Sequence, residues 1–110
     1  MNKYRVKIDP EALSDIQNIT SWYNNARDGL GIRFKNTVIR QINSLIRNPG
    51  IYSVRYREIR CMIVKKFPYM VHFHINDENN TVEVLAVIST SRNPKIWKEK
   101  LTNHDEKVMD

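Results

Sequence analysis

Residues 65–94, KKFPYMVHFHINDENNTVEVLAVISTSRNP, constrain the fold of this chain more than any other stretch. Side chains alternate across a strand, so MVHFHI sets Val71, Phe73 and Ile75 on one face and Met70, His72 and His74 on the other. TVEVLAVIS splits in the same way, with Val82, Val84, Ala86 and Ile88 against Glu83, Leu85, Val87 and Ser89. Between the two patterns, Asn76-Asp77-Glu78-Asn79-Asn80 is a run of turn formers, and Asn and Asp tolerate left-handed backbone. The stretch predicts an antiparallel β-hairpin.

The flanking sequence supplies what such a hairpin needs to pack against. Tyr4-Arg5-Val6-Lys7-Ile8 alternates apolar and basic residues, as a half-buried strand does. Asp9-Pro10-Glu11 then reads as a helix start, because Asp accepts from free backbone N–H groups and Pro at the first position sacrifices no bond. Leu13, Ile16, Ile19 and Trp22 or Tyr23 follow at helical spacing, until Asp28-Gly29-Leu30-Gly31 breaks the helix. A second helix is predicted over 30–47, with Phe34, Val38, Ile42, Leu45 and Ile46 on one face, stopped by Asn48-Pro49-Gly50. Trp22, Tyr23 and Phe34 are expected in the core. Residues 51–57 read as irregular, and 58–67 as a strand with Ile59, Cys61 and Ile63 opposite Arg60, Met62, Val64 and Lys66. Pro68 cannot donate a ladder bond and marks the next turn. Residues 94–101, PKIWKEKL, form a short helix pattern, and about 103–110 read as a frayed tail.

The predicted architecture is α+β. An N-terminal strand precedes an α-helical hairpin, and a three-stranded antiparallel meander completes a four-stranded sheet, with a short C-terminal helix after it. The last strand is the expected neighbour of the first. At 110 residues the chain reads as a single domain, 1–110. Nothing approaches the roughly 20 apolar residues that span a bilayer, and MNKYRVKID has no signal-peptide core, so the expected compartment is the cytoplasm. One cysteine, Cys61, excludes an internal disulfide and a Cys-based zinc site. No His, Asp and Glu spacing suggests a metal, and no cofactor is expected. The net charge of +6 points to nucleic acid or to an acidic protein partner.

WYNNARDGLGIRF, the IRNPG helix stop, KKFPYMVHFHI and VLAVISTSRNP followed by KIW, in this order and spacing, resemble the RelE/ParE toxin superfamily of type II toxin–antitoxin systems. The Phe67-Pro68-Tyr69 turn, the later Ser91-Arg92-Asn93-Pro94 and the GLG break resemble the ParE, or plasmid stabilisation, branch. The resemblance implies a helical hairpin on one face of the sheet and an acidic antitoxin whose C-terminal segment wraps the toxin. It leaves two outcomes: ParE-like poisoning of DNA gyrase without a catalytic site, or RelE-like cleavage of mRNA on the ribosome. An inactive relative that keeps antitoxin binding within a repressor complex is a further alternative. A homodimer is compatible with the sequence.

Metal-free RNA cleavage needs cations on phosphate charge and a general acid–base group. Arg92 matches the position of a catalytic arginine in RelE-like members, and Lys65 and Lys66 match basic residues before the turn. Arg55, Arg57 and Arg60 extend the set expected to bind a target or phosphate. RelE-like nucleases bring a Tyr or His-Tyr pair from the C-terminal segment, whereas NPKIWKEKLTNHD has no tyrosine. Many relatives carry His shortly before the arginine, where this chain has Ile88-Ser89-Thr90-Ser91. His72 and His74, which share a strand face, are the candidate substitute bases, since imidazole titrates near neutrality. These departures favour an inhibitor over a nuclease. Met62, Val64, Met70, Leu85 and Val87 are expected to line the sheet face opposite the helices and to seat the antitoxin, edged by Arg60, Lys66 and Arg92.

Overall fold

A computed structural model describes residues 3–91. Strand β1 (Arg5–Ile8) leads into helices α1 (Pro10–Ala26) and α2 (Leu30–Ser44). A 3₁₀ turn at Pro49–Ile51 precedes strands β2 (Val54–Tyr56), β3 (Ile59–Ile63), β4 (Tyr69–Asn76) and β5 (Thr81–Ser89). The fold is α+β, with one five-stranded sheet in the order β1-β5-β4-β3-β2. The expected hairpin forms as β4 and β5, and β1 joins β5 in parallel through pairs such as Val6 with Val82 and Ile8 with Val84.

The fifth strand is a correction to the sequence reading. β2 pairs with β3 through a turn whose central residues, Arg57 and Glu58, take φ of 45° and 64°. Two consecutive positive φ values give the backbone twist that joins adjacent antiparallel strands, a role Asn-Gly or Asp-Gly normally fills. An Arg-Glu pair carries no such signal in sequence.

The helix hairpin turns at Gly29, which has φ 84° and costs no Cβ strain there. Asp9 stands at the N-cap of α1 with extended backbone, but its side chain makes no cap hydrogen bond; its backbone N–H instead donates to the Val84 carbonyl at 2.9 Å. α2 ends at Ser44, earlier than predicted, and residues 45–47 continue as tight i→i+3 turns. Ala12 and Ile16 of α1 and Phe34, Val38 and Ile42 of α2 pack with Val71, Phe73, Val82 and Val84 of the sheet. Tyr23, Phe34, Phe67 and Tyr69 form an aromatic cluster with ring centroids 5.2–6.2 Å apart, which fixes the β3–β4 turn against the hairpin. Trp22 is not in the core as expected: it is 63% exposed.

Register settles which residues share a face. Met62 lies opposite Val71, so Met62 and Val64 face the helices at 1% exposure each, not the outer face. In β5 a bulge gives His72 the partner Ala86 and Phe73 the partner Val84, leaving Leu85 as the extra residue. The alternation therefore inverts past Val84. Val87 joins the helix-side core, while Leu85, Ala86 and Ile88 join Ile59, Cys61 and Met70 in a second buried cluster on the outer face. Asp15 of α1 braces this irregularity by accepting from the Val87 N–H at 3.0 Å.

Candidate functional site

The outer face of the sheet brings together side chains that the sequence scatters. Tyr56, Cys61 and His72 converge there from β2, β3 and β4. The Tyr56 hydroxyl hydrogen-bonds His72 Nδ1 at 2.8 Å, and Cys61 Sγ lies 3.4 Å from the same nitrogen. His72 exposes no surface. Burial pushes the Cys61 thiol up to about 11, with Arg55 opposing the shift, so the sulfur stays protonated at neutral pH. The group is a packed, hydrogen-bonded histidine with its ring turned into the protein, and it offers no open base to a ribose hydroxyl. Tyr56 was not a sequence candidate. Only the β2 pairing places it beside His72, and no local pattern announces that pairing.

Two residues further along β4, His74 is half-buried between two carboxylates. Nε2 is 3.9 Å from Glu58 and Nδ1 is 3.8 Å from Glu83. A cleft of about 500 Å³ adjoins it, with Glu58, Asp77 and Glu78 in its lining beside a single arginine, Arg60. Three carboxylates against one guanidinium make this a poor seat for a phosphate.

The basic residues expected to bind phosphate do not meet at one point. Arg60 is half-buried, and its Nη1 donates to the carbonyls of Tyr52 at 2.5 Å and Gly50 at 3.3 Å, holding the 3₁₀ turn to the sheet. Arg55 is exposed on β2 and Arg57 sits in the left-handed turn that follows. Lys65 and Lys66 are exposed beyond the other end of β3, a strand that alone spans about 13 Å at strand rise. The Lys65 N–H donates to Gln41 Oε1 at 2.8 Å, and Lys66 has φ 68°. Arg92 and the 94–101 helix pattern lie outside the described residues. Of the side chains expected to seat an antitoxin, Met70 and Leu85 are on the outer face but only 4% and 6% exposed, whereas Met62, Val64 and Val87 face the helices. Among the described residues no His, Cys, Asp and Glu group could hold a metal ion, and no helix is long and apolar enough to cross a membrane.

A family model described as the ParE toxin of the type II toxin–antitoxin system parDE matches residues 6–94. The chain belongs to the ParE toxin family. It is therefore the toxin component of a type II toxin–antitoxin pair. The toxin's fold agrees with solved structures. One from the chromosomal ParDE system of P. aeruginosa has a TM-score of 0.71 at 13% identity, covering 81% of this chain and 98% of that one. An arginine-to-alanine double mutant of E. coli toxin RelE in the free state gives 0.68 at 14% identity, covering 92% and 97%. The toxin–antitoxin complex RelBE2 from Mycobacterium tuberculosis gives 0.59 at 21% identity, covering 79% and 98%. No curated protein matches the sequence. At these identities the structures establish the shared fold, and the family model carries the assignment.

Proposed function

We propose that this toxin acts as a ParE-like inhibitor of DNA gyrase and is neutralised by an acidic antitoxin. The observation that carries the choice of inhibitor over nuclease is the state of His72. It is fully buried and tied to Tyr56 at 2.8 Å, so this candidate for the missing acid–base role is spent on packing, while His74 lies between Glu58 and Glu83 beside a cleft poor in cations. Arg60 is likewise occupied by the Tyr52 and Gly50 carbonyls. A protein that works by binding needs no such group, because inhibition asks for a complementary surface and not for proton transfer.

The net charge of +6 suits an acidic neutralising segment. With Met62, Val64 and Val87 in the helix-side core, the apolar contacts open to that segment are Val54 at 51% and Ile63 at 62% exposure, on strands that also carry Arg55 and lead to Lys65. Induction of the chain in a bacterial host should stop growth with a DNA-damage response and filamentation. Co-expression of the acidic antitoxin should restore growth and co-purify with the chain. Early mRNA cleavage, lost in Arg92→Ala, would instead establish a nuclease.

A further inference from the structure

Charge is segregated between the two helices. Residues 10–26 contain Glu11 and Asp15 and no basic residue, while 30–47 contain Arg33, Lys35, Arg40 and Arg47 and no acidic one. On α2 and its continuation, Arg33, Asn36, Arg40, Asn43 and Arg47 recur at intervals of three and four and are all exposed. They form one stripe opposite the buried Phe34, Val38 and Ile42. Arginines seven residues apart stand about 10 Å apart along the axis. The stripe widens at its end into a hollow of about 600 Å³ lined by Lys3, Arg40, Asn43, Ser44, Ile46 and Arg47. Lys3 reaches it because the Tyr4 N–H donates to the Ile46 carbonyl at 2.9 Å, tying the start of β1 to the end of the helix.

Among the described residues, no ion pair engages Lys3, Arg33, Arg40 or Arg47, and no carboxylate lines the hollow. Cations in the last helical turn also complement the helix dipole. The last turn of α2 itself holds no basic residue, and the dipole gives no reason for Arg33 in the first turn or for Lys3. Four unneutralised cations in a row, with carboxamides between them, present an array for a regular polyanion. In duplex nucleic acid one strand rises about 3.4 Å per phosphate, so three steps match one arginine interval. An acidic protein fits less well, since protein interfaces need a buried apolar centre and, among the described residues, Ile46 is the only apolar one lining the hollow.

We propose that Lys3 and the α2 stripe of Arg33, Arg40 and Arg47 form a sequence-independent binding site for the phosphate backbone of double-stranded nucleic acid. The site does not depend on which target the toxin inhibits. It places the chain on DNA through the helix, on a different element from Arg55, Arg57 and the β3–β4 turn.

The test is fluorescence anisotropy of the full chain with a labelled 20-base-pair DNA duplex of random sequence, titrated at several salt concentrations. Four phosphate contacts give a slope of log K against log salt of about −3.6, or about 150-fold weaker binding at 200 mM than at 50 mM. Arg33→Gln/Arg40→Gln/Arg47→Gln should reduce the slope to about −0.9, and Arg40→Gln alone should remove about 0.9 of it. The charge-matched Lys7→Gln/Arg27→Gln/Lys35→Gln should keep the parent slope. These side chains are exposed, so circular dichroism should be unchanged in each variant. The proposal is overturned if folded chain does not bind the duplex at 50 mM salt, or if the two triple variants lose binding equally. It also fails if polyglutamate of equal charge displaces the duplex as effectively as unlabelled duplex, which would assign the stripe to an acidic protein.

Discussion

Replacing Gly31 with alanine should destabilise the protein by about 3 kcal/mol and lower its melting temperature by about 12 °C or more. A Cβ built at this position falls 2.1 Å from the Thr20 carbonyl oxygen and 2.6 Å from the Asn24 side chain. The first of these is backbone, so relief requires α1 and α2 to move apart. Their separation is set by the core beneath them, where Ile16, Phe34 and Val38 are at most 1% exposed. Displacement would also break the bond from the Gly31 N–H to Asn24 Oδ1, now 2.8 Å. Gly29, two residues earlier, gives the contrast. It alone of the pair has positive φ, and a Cβ there meets nothing within 4 Å. Gly29→Ala should cost only about 1 kcal/mol of left-handed backbone strain. Thermal unfolding followed by circular dichroism ranks the two, and equal losses would refute the close approach of the helices.

Phe34→Ala should cost about 3–5 kcal/mol. Phe34 is fully buried and its ring lies 5.6 Å from Tyr23, 5.3 Å from Phe67 and 5.5 Å from Tyr69. Its loss leaves a cavity under the turn between β3 and β4. That turn rests on few backbone bonds, among them Val64 N–H to the Tyr69 carbonyl at 2.9 Å and Tyr69 N–H to the Phe67 carbonyl at 2.8 Å. Amide exchange at Val64 and Tyr69 should accelerate beyond what global destabilisation accounts for. Trp22→Ala is the control: a larger ring, but 63% exposed and touching the cluster only through Tyr23 at 5.1 Å, so its removal should cost about 1 kcal/mol or less.

The parts of this fold legible in sequence are those whose signals are local. The β4–β5 hairpin follows from two alternating runs around Asn76-Asp77-Glu78-Asn79-Asn80, and the helix hairpin from the apolar spacing and Gly29. What was not legible depends on phase carried from one strand to the next. The number of residues from Ile63 to Tyr69 decides that Met62 meets Val71, and nothing within 59–63 alone says so. The bulge at Leu85 then moves Val87 to the helix side, although VEVLAVI alternates as well in either phase. β2 has no local signature because Arg57 and Glu58 adopt left-handed backbone without the residue types that favour it.

The candidate site was legible to a similar degree. His72 stands out in sequence as titratable, but its bond to Tyr56 comes from β2, and that bond makes it a packing group and not an open base. Arg60 has the sequence context of a phosphate ligand, and the 3₁₀ turn at Pro49–Ile51 brings it carbonyls instead. The α2 arginines were visible in sequence only as the polar remainder of an amphipathic helix. Lys3 reaches them through a backbone bond between residues 42 positions apart, Tyr4 to Ile46.

The proposed mode of action is tested most directly by adding the purified chain to DNA gyrase on relaxed plasmid with ATP and measuring supercoiling and double-strand cleavage. Inhibition with accumulating cleaved plasmid, reversed by stoichiometric antitoxin and retained in His72→Ala protein that still folds, is the result expected of an inhibitor. Undiminished supercoiling at excess chain, with mRNA cut in programmed ribosomes by the same preparation, would contradict it.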